Sequence, residues 1–89
     1  MTQAIDTVTL TLDRAVALVL FDFLARTTDE MDGEPLGAAL EDPAELPALW
    51  SLLSELEETL TEPFADDYGQ RVAAARRAVR ARYGTAGVP

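Results

Sequence analysis

The chain has no cysteine, no histidine and no lysine among its 89 residues. The first absence excludes disulfide bridges and thiolate metal sites. The second removes the commonest general base and the commonest zinc ligand. Long apolar runs are missing too. The longest, AVALVLF at 15–21, stops at Asp22 and is too short to cross a bilayer. No charged-then-apolar leader opens the sequence, so a cytoplasmic protein is expected, with no membrane association.

The usual sites of chemistry fail one by one. The glycines at 33, 37, 69, 84 and 87 lack the spacing of a phosphate-binding loop. Ser51 and Ser54 have no base to activate them. Placing Gly33 at the sixth position of a calcium loop puts Thr28 first and Ala39 twelfth, where oxygen ligands are required. Glu55, Glu58 and Glu62 recur at helical spacing, but a di-iron bundle would need a histidine beside them. An acyl carrier would need an Asp-Ser-Leu attachment site, which does not occur. The expectation is a protein with no metal, no cofactor and no catalytic residue, hence not an enzyme.

What is present is acid. Sixteen Asp and Glu face seven arginines, a net charge of −9. All sixteen acids precede position 70, where only Arg14 and Arg26 oppose them, a balance of −14. Arg71, Arg76, Arg77, Arg80 and Arg82 occupy the last nineteen residues, which hold no acid. Such a chain repels nucleic acid and favours basic protein partners. The arginine cluster is expected to pair with acids of the second helix or the acidic loop and to complete a helix dipole. Basicity carried by arginine alone, with abundant alanine, points to a GC-rich bacterial source.

Hydrophobic periodicity predicts a mainly α fold, a three-helix bundle forming a single domain over 1–89. The first helix is expected over 12–26, capped by Thr11, with a stripe at Leu12, Val16, Val19, Leu20, Phe23 and Leu24. Leu18 and Phe21 widen that stripe, and Asp13, Asp22 and Arg26 are left to solvent. A helix so broadly apolar is central in its bundle or covered by a partner. The second is expected over 43–62, opened by Asp42, Pro43 and Glu45 as a capping box and stopped by Pro63. Its leucines at 46, 49, 53, 56 and 60 form one seam. The third is expected over 65–83, begun by Asp66 or Asp67 and ended by Gly84. The short TEPF connection between the last two implies an antiparallel hairpin, with Phe64 tucked between them and the first helix laid across. Residues 27–42 read as an acidic loop, and 85–89 as a frayed tail. TVTLTL at 7–12 alternates in the manner of a half-buried strand, so a short strand or extended segment is expected at about 7–11.

The segments ALVLFDFLAR, EDPAELPALWSLLSELEETL and EPFADDY resemble small acidic bacterial proteins of unassigned role, in order and character over about residues 9–83. More loosely, size and charge are similar to those of the immunity proteins and antitoxins paired with toxic enzymes. That likeness implies a module that occludes a basic partner such as a toxin. The residues expected to make such contacts are Trp50, Glu55, Glu58, Glu62, Asp29, Glu30, Asp32 and Glu34, an aromatic anchor among steering acids. The alternative is a homodimer, structural or regulatory, in which the first helix and TVTLTL meet their copies.

Overall fold

The computed structural model describes residues 6–86. Over that span the chain is mainly helical: α1 covers Arg14–Leu24, α2 Glu45–Thr59 and α3 Tyr68–Tyr83. A π-helical segment at Ala25–Glu30 continues α1, and 3-10 turns occupy Glu34–Ala39 and Glu62–Phe64.

α1 starts later than its apolar pattern implies, and Asp13, not Thr11, caps it. The Asp13 carboxylate accepts from the backbone N–H groups of Ala15 at 2.9 Å and Val16 at 3.4 Å, satisfying donors that the first turn leaves orphaned. Aspartate outcompetes threonine here because an ionised acceptor also meets the positive end of the helix dipole. Residues 7–11 form no strand. They carry no regular secondary structure and bond to no backbone group among the described residues.

The core gathers around α1. Ala17, Leu18, Phe21 and Leu24 are buried, together with Leu56 and Leu60 from the α2 side and Val72 and Ala75 from α3. The buried face is thus rotated from the expected stripe: Leu18 and Phe21 lie at its centre, whereas Leu12 and Phe23 are exposed. The leucine seam of α2 is covered unevenly, fully at Leu56 and Leu60 and partly at Leu46, Leu49 and Leu53.

The expected hairpin of the last two helices does not form. α1 makes its largest contact with α3 and a smaller one with α2, whereas α2 and α3 barely meet. The connection explains the difference. α2 ends at Thr59, before the proline, and Leu60 and Ala65 are both extended on either side of the Glu62–Phe64 turn. Two extended residues open the corner and swing α3 onto the far side of α1. Phe64 is left exposed at that corner instead of tucked between helices.

Asp22 was expected at solvent; it is the polar centre of the α1–α3 contact. Its carboxylate accepts from the Tyr68 hydroxyl at 2.9 Å, from Arg76 at 2.9 Å and from Arg26 at 3.0 Å, and its side chain is only 14% exposed. The Tyr68 ring meets Phe21 edge-on, centroids 6.4 Å apart. Burial alone would raise the Asp22 pKa, but hydrogen bonds from Arg26 and Tyr68 and the charges of Arg26 and Arg76 outweigh it and hold the carboxyl below its usual range. For Tyr68, burial and the neighbouring carboxylate act together and push the phenol up.

An Asp22→Asn variant is expected to lose about 1–3 kcal/mol, since it weakens a charge-assisted acceptor serving three donors. Tyr68→Phe should lose about 0.5–1.5 kcal/mol. Urea unfolding followed by helical circular dichroism measures both. Equal stability of Asp22→Asn and the native chain would show that this cluster holds nothing together.

Candidate functional site

The region read as an acidic loop is largely helical. The Thr27 and Thr28 hydroxyls donate to the carbonyls of Phe23 and Leu24, each at 2.7 Å. Hydroxyls bonding back to residue i−4 compete with the regular helical ladder, and here the ladder widens into the π-helical turn. Such turns are frequent at functional sites. The turn is closed when the Gly33 N–H reaches the Thr27 carbonyl at 2.9 Å. Asp32 and Gly33 both take left-handed conformations, φ 52° and 76°. A Cβ at Gly33 would also stand 2.8 Å from Leu46 Cδ2, so the end of the Leu46 side chain would have to shift. The turn therefore rests directly on the beginning of α2.

α2 begins with the anticipated reciprocal cap, placed just before its first residue. The Asp42 carboxylate accepts from the Ala44 N–H at 2.8 Å, and Glu45 reaches back to the N–H groups of Glu41 at 2.6 Å and Asp42 at 3.4 Å. One turn further on, the Trp50 indole N–H donates to the Thr28 carbonyl at 2.8 Å. Thr28 is fully buried, whereas Trp50 remains 43% exposed. The indole is thus pinned at its nitrogen, and much of its ring faces outward.

Beside it lies an open groove of about 290 Å³. Phe21, Ala25 and Leu53 form its apolar floor, and Asp29, Trp50 and Glu57 stand at its exposed margin. The fold therefore brings Trp50 and Asp29 together from different elements. Glu57 joins them without having been singled out in the sequence. The signal for it was helical spacing: positions 50, 54 and 57 share a face of α2, and Ser54 also lines the groove.

The other expected contact residues are dispersed. Glu55 lines a separate cleft on the opposite flank of α2. Glu58, Glu30, Asp32 and Glu34 are exposed. Glu62 is engaged internally. It accepts from Arg14 Nε at 2.6 Å and Nη2 at 2.9 Å, and the Arg14 hydrogen bonds pull its carboxyl down to about 2 from an ordinary 4.5.

The arginines of α3 pair, but with α1 and with their own helix, not with α2 or the acidic segment. Arg76 meets Asp22, Arg82 meets Asp13 at 3.3 Å, and Arg71 meets Asp67 at 2.6 Å. Asp67 precedes α3 without capping it through its side chain, because Arg71 occupies that carboxylate. Arg77 and Arg80 make no ion pair among the described residues.

The second cleft is larger, about 610 Å³, and lies between residues 8–12 and the Leu52–Leu56–Leu60 side of α2. Among the described residues no group of three or more acids is placed to hold a metal ion, and no helix is long and apolar enough to cross a membrane. Comparison with protein-family models, curated proteins and solved structures gives no match.

Gly33→Ala is expected to cost about 1–3 kcal/mol, from a left-handed φ and from contact with Leu46. Trp50→Phe should cost about 0.5–1.5 kcal/mol by removing the indole donor. Thermal or urea unfolding of each variant measures these losses, and an unchanged Gly33→Ala protein would contradict the close approach. The Glu62 pKa carries a sign for pH. Its folded value lies below its unfolded one, so its contribution is complete above about pH 4.5 and fades as pH falls toward 2. Glu62→Gln should therefore flatten the acid limb of the stability curve over that interval. An acid limb identical to that of the native chain would refute the pairing.

Proposed function

We propose that this chain is a small acidic interaction module that docks a basic protein on the groove beside Trp50. The observation that carries the reading is the state of the indole: fixed through Thr28, partly exposed, and flanked by two carboxylates over an apolar floor. A preset aromatic ring loses little conformational freedom on binding, and tryptophan is enriched among residues that dominate binding energy. Asp29 and Glu57 select for a cationic group on the partner, and the remaining acids draw that partner in at long range.

The three α-helices act in this reading as one bundle around α1, a scaffold that holds the groove's two sides in register. Occlusion of a basic toxin, in the manner of immunity proteins and antitoxins from bacteria, is the form of activity that fits the size and charge. The module works in the cytoplasm by contact and carries no reaction of its own. Ser51 and Ser54 stand on α2 in a chain without histidine, so no general base of the usual kind can serve them.

The test pairs the chain with the product of its neighbouring gene. Calorimetric binding is expected to weaken at least tenfold with Trp50→Ala and severalfold with Asp29→Asn plus Glu57→Gln, and to fall with added salt. Binding that ignores both substitutions would displace the site. Failure of the native chain to retain any basic protein on co-purification would remove the function.

A further inference from the structure

Residues 7–12 are the least explained part of the fold. Val8 and Leu10 are 86% and 73% exposed, although neither lies near the Trp50 groove. The backbone of these residues finds no backbone partner among the described residues. Polar backbone groups and alternating side chains of this kind are a template for strand pairing. We propose that this arm pairs antiparallel with the same arm of a second copy of the chain, forming a two-stranded ribbon across a two-fold axis.

Charge identifies the occupant. In a molecule of net charge −9, most surfaces repel a second copy, but TVTLTL contains no ionisable residue. Two copies can meet here without like charges facing each other. Symmetry then fixes the register. Val8, Leu10 and Leu12 share one face of an extended segment, and the threonines take the other. An antiparallel two-fold pair keeps its faces matched only when a residue opposes one of the same parity. Centring on Leu10 sets Leu10 against Leu10 and Val8 against Leu12. Centring on Thr9 would place Leu12 against Asp6. Centring on Thr11 would place Val8 against Arg14. Only the Leu10 register pairs every apolar residue of the arm with another.

The cleft supplies what a bare ribbon lacks. A two-stranded hairpin alone is at best marginal in water. Here the arm lies along a cleft of about 610 Å³ backed by Leu52, Leu56 and Leu60, and Leu52 is itself exposed. With the axis perpendicular to the ribbon, the apolar faces of both strands look toward the same side, where Val8 and Leu10, exposed in the single chain, meet Leu12 and Leu10 of the other copy. The threonines face solvent.

Because the chain has no cysteine, single-cysteine variants read the register directly. Opposed residues in an antiparallel pair have Cα atoms about 4.5–5.5 Å apart, within disulfide range. Under mild oxidation Leu10→Cys should therefore cross-link to its own copy, and Thr9→Cys much more slowly. Sedimentation equilibrium of the full chain should give a dimer whose association weakens about tenfold or more in Leu10→Asp, with helical circular dichroism unchanged. Trp50→Ala should leave the dimer intact, which separates this surface from the groove. A strict monomer at every concentration, a dimer insensitive to Leu10→Asp, or faster cross-linking at Thr9 than at Leu10 would each overturn the proposal.

Discussion

A single carboxylate within α1 orders its contact with α3. A domain of this length buries only about 60–65% of the surface its unfolded chain exposes, so hydrophobic contact alone defines its geometry weakly. Asp22 adds direction. Standing among Phe21, Leu18 and Leu24, it gathers one donor from its own helix and two from α3. The penalty of partial burial is met because each oxygen has a partner, and removing the partners would leave a charge with no escape to water. α3 therefore has one favourable position along α1. With α3 fixed on one side, α2 takes the other, and the two form separate contacts on a common centre.

The Trp50 groove inherits its geometry from that arrangement. Its floor is the opposite flank of the same helix, Phe21 and Ala25, completed by Leu53 of α2. The π-helical turn then carries the chain past the end of α1 and delivers the Thr28 carbonyl to the indole. Two threonine hydroxyls make this possible. They donate to the Phe23 and Leu24 carbonyls at the point where the ladder widens. Gly33 closes the turn in a left-handed conformation, packed against Leu46. An exposed, fixed tryptophan is thus the outcome of a local sequence, TTDEMDG, whose composition reads as loop but whose hydrogen bonds make it helical.

The contrast marks what a sequence of this kind discloses. The mainly helical character was legible, because the apolar spacing of α2 and the reciprocal Asp42–Glu45 bonds are local features with local causes. Gly84 likewise ends α3, with a positive φ of 88°, as its position implied. The rotation of α1 was not legible. Leu12, Val16, Leu20 and Phe23 form as regular a stripe as Ala17, Leu18, Phe21 and Leu24, and only contact with α3 chooses between them. Asp22 looked like a solvent residue for the same reason: its partners lie 46 and 54 positions away. Trp50 and Asp29 were each visible as candidates, but their meeting, and the diversion of Glu62 to Arg14, depended on tertiary geometry. The helical hairpin failed because short connections fix proximity and leave direction to the dihedrals of one or two residues.

The distribution of charge ties these features together. Arg76 and Arg82 of α3 pair with Asp22 of α1 and with its cap Asp13, so the acids of α2 and the π-helical turn gain no cationic cover from those two. Had Arg76 and Arg82 crossed to α2, the acids beside Trp50 would have been neutralised. The same internal pairing accounts for the character of the arm. Asp13 is occupied by the α1 cap and by Arg82, and Arg14 by Glu62, so the charges at the root of the arm are already balanced. What projects beyond them is a neutral, alternating segment on an anionic body. The acidic groove with its aromatic margin and the uncharged, extended arm therefore lie on different flanks of α2.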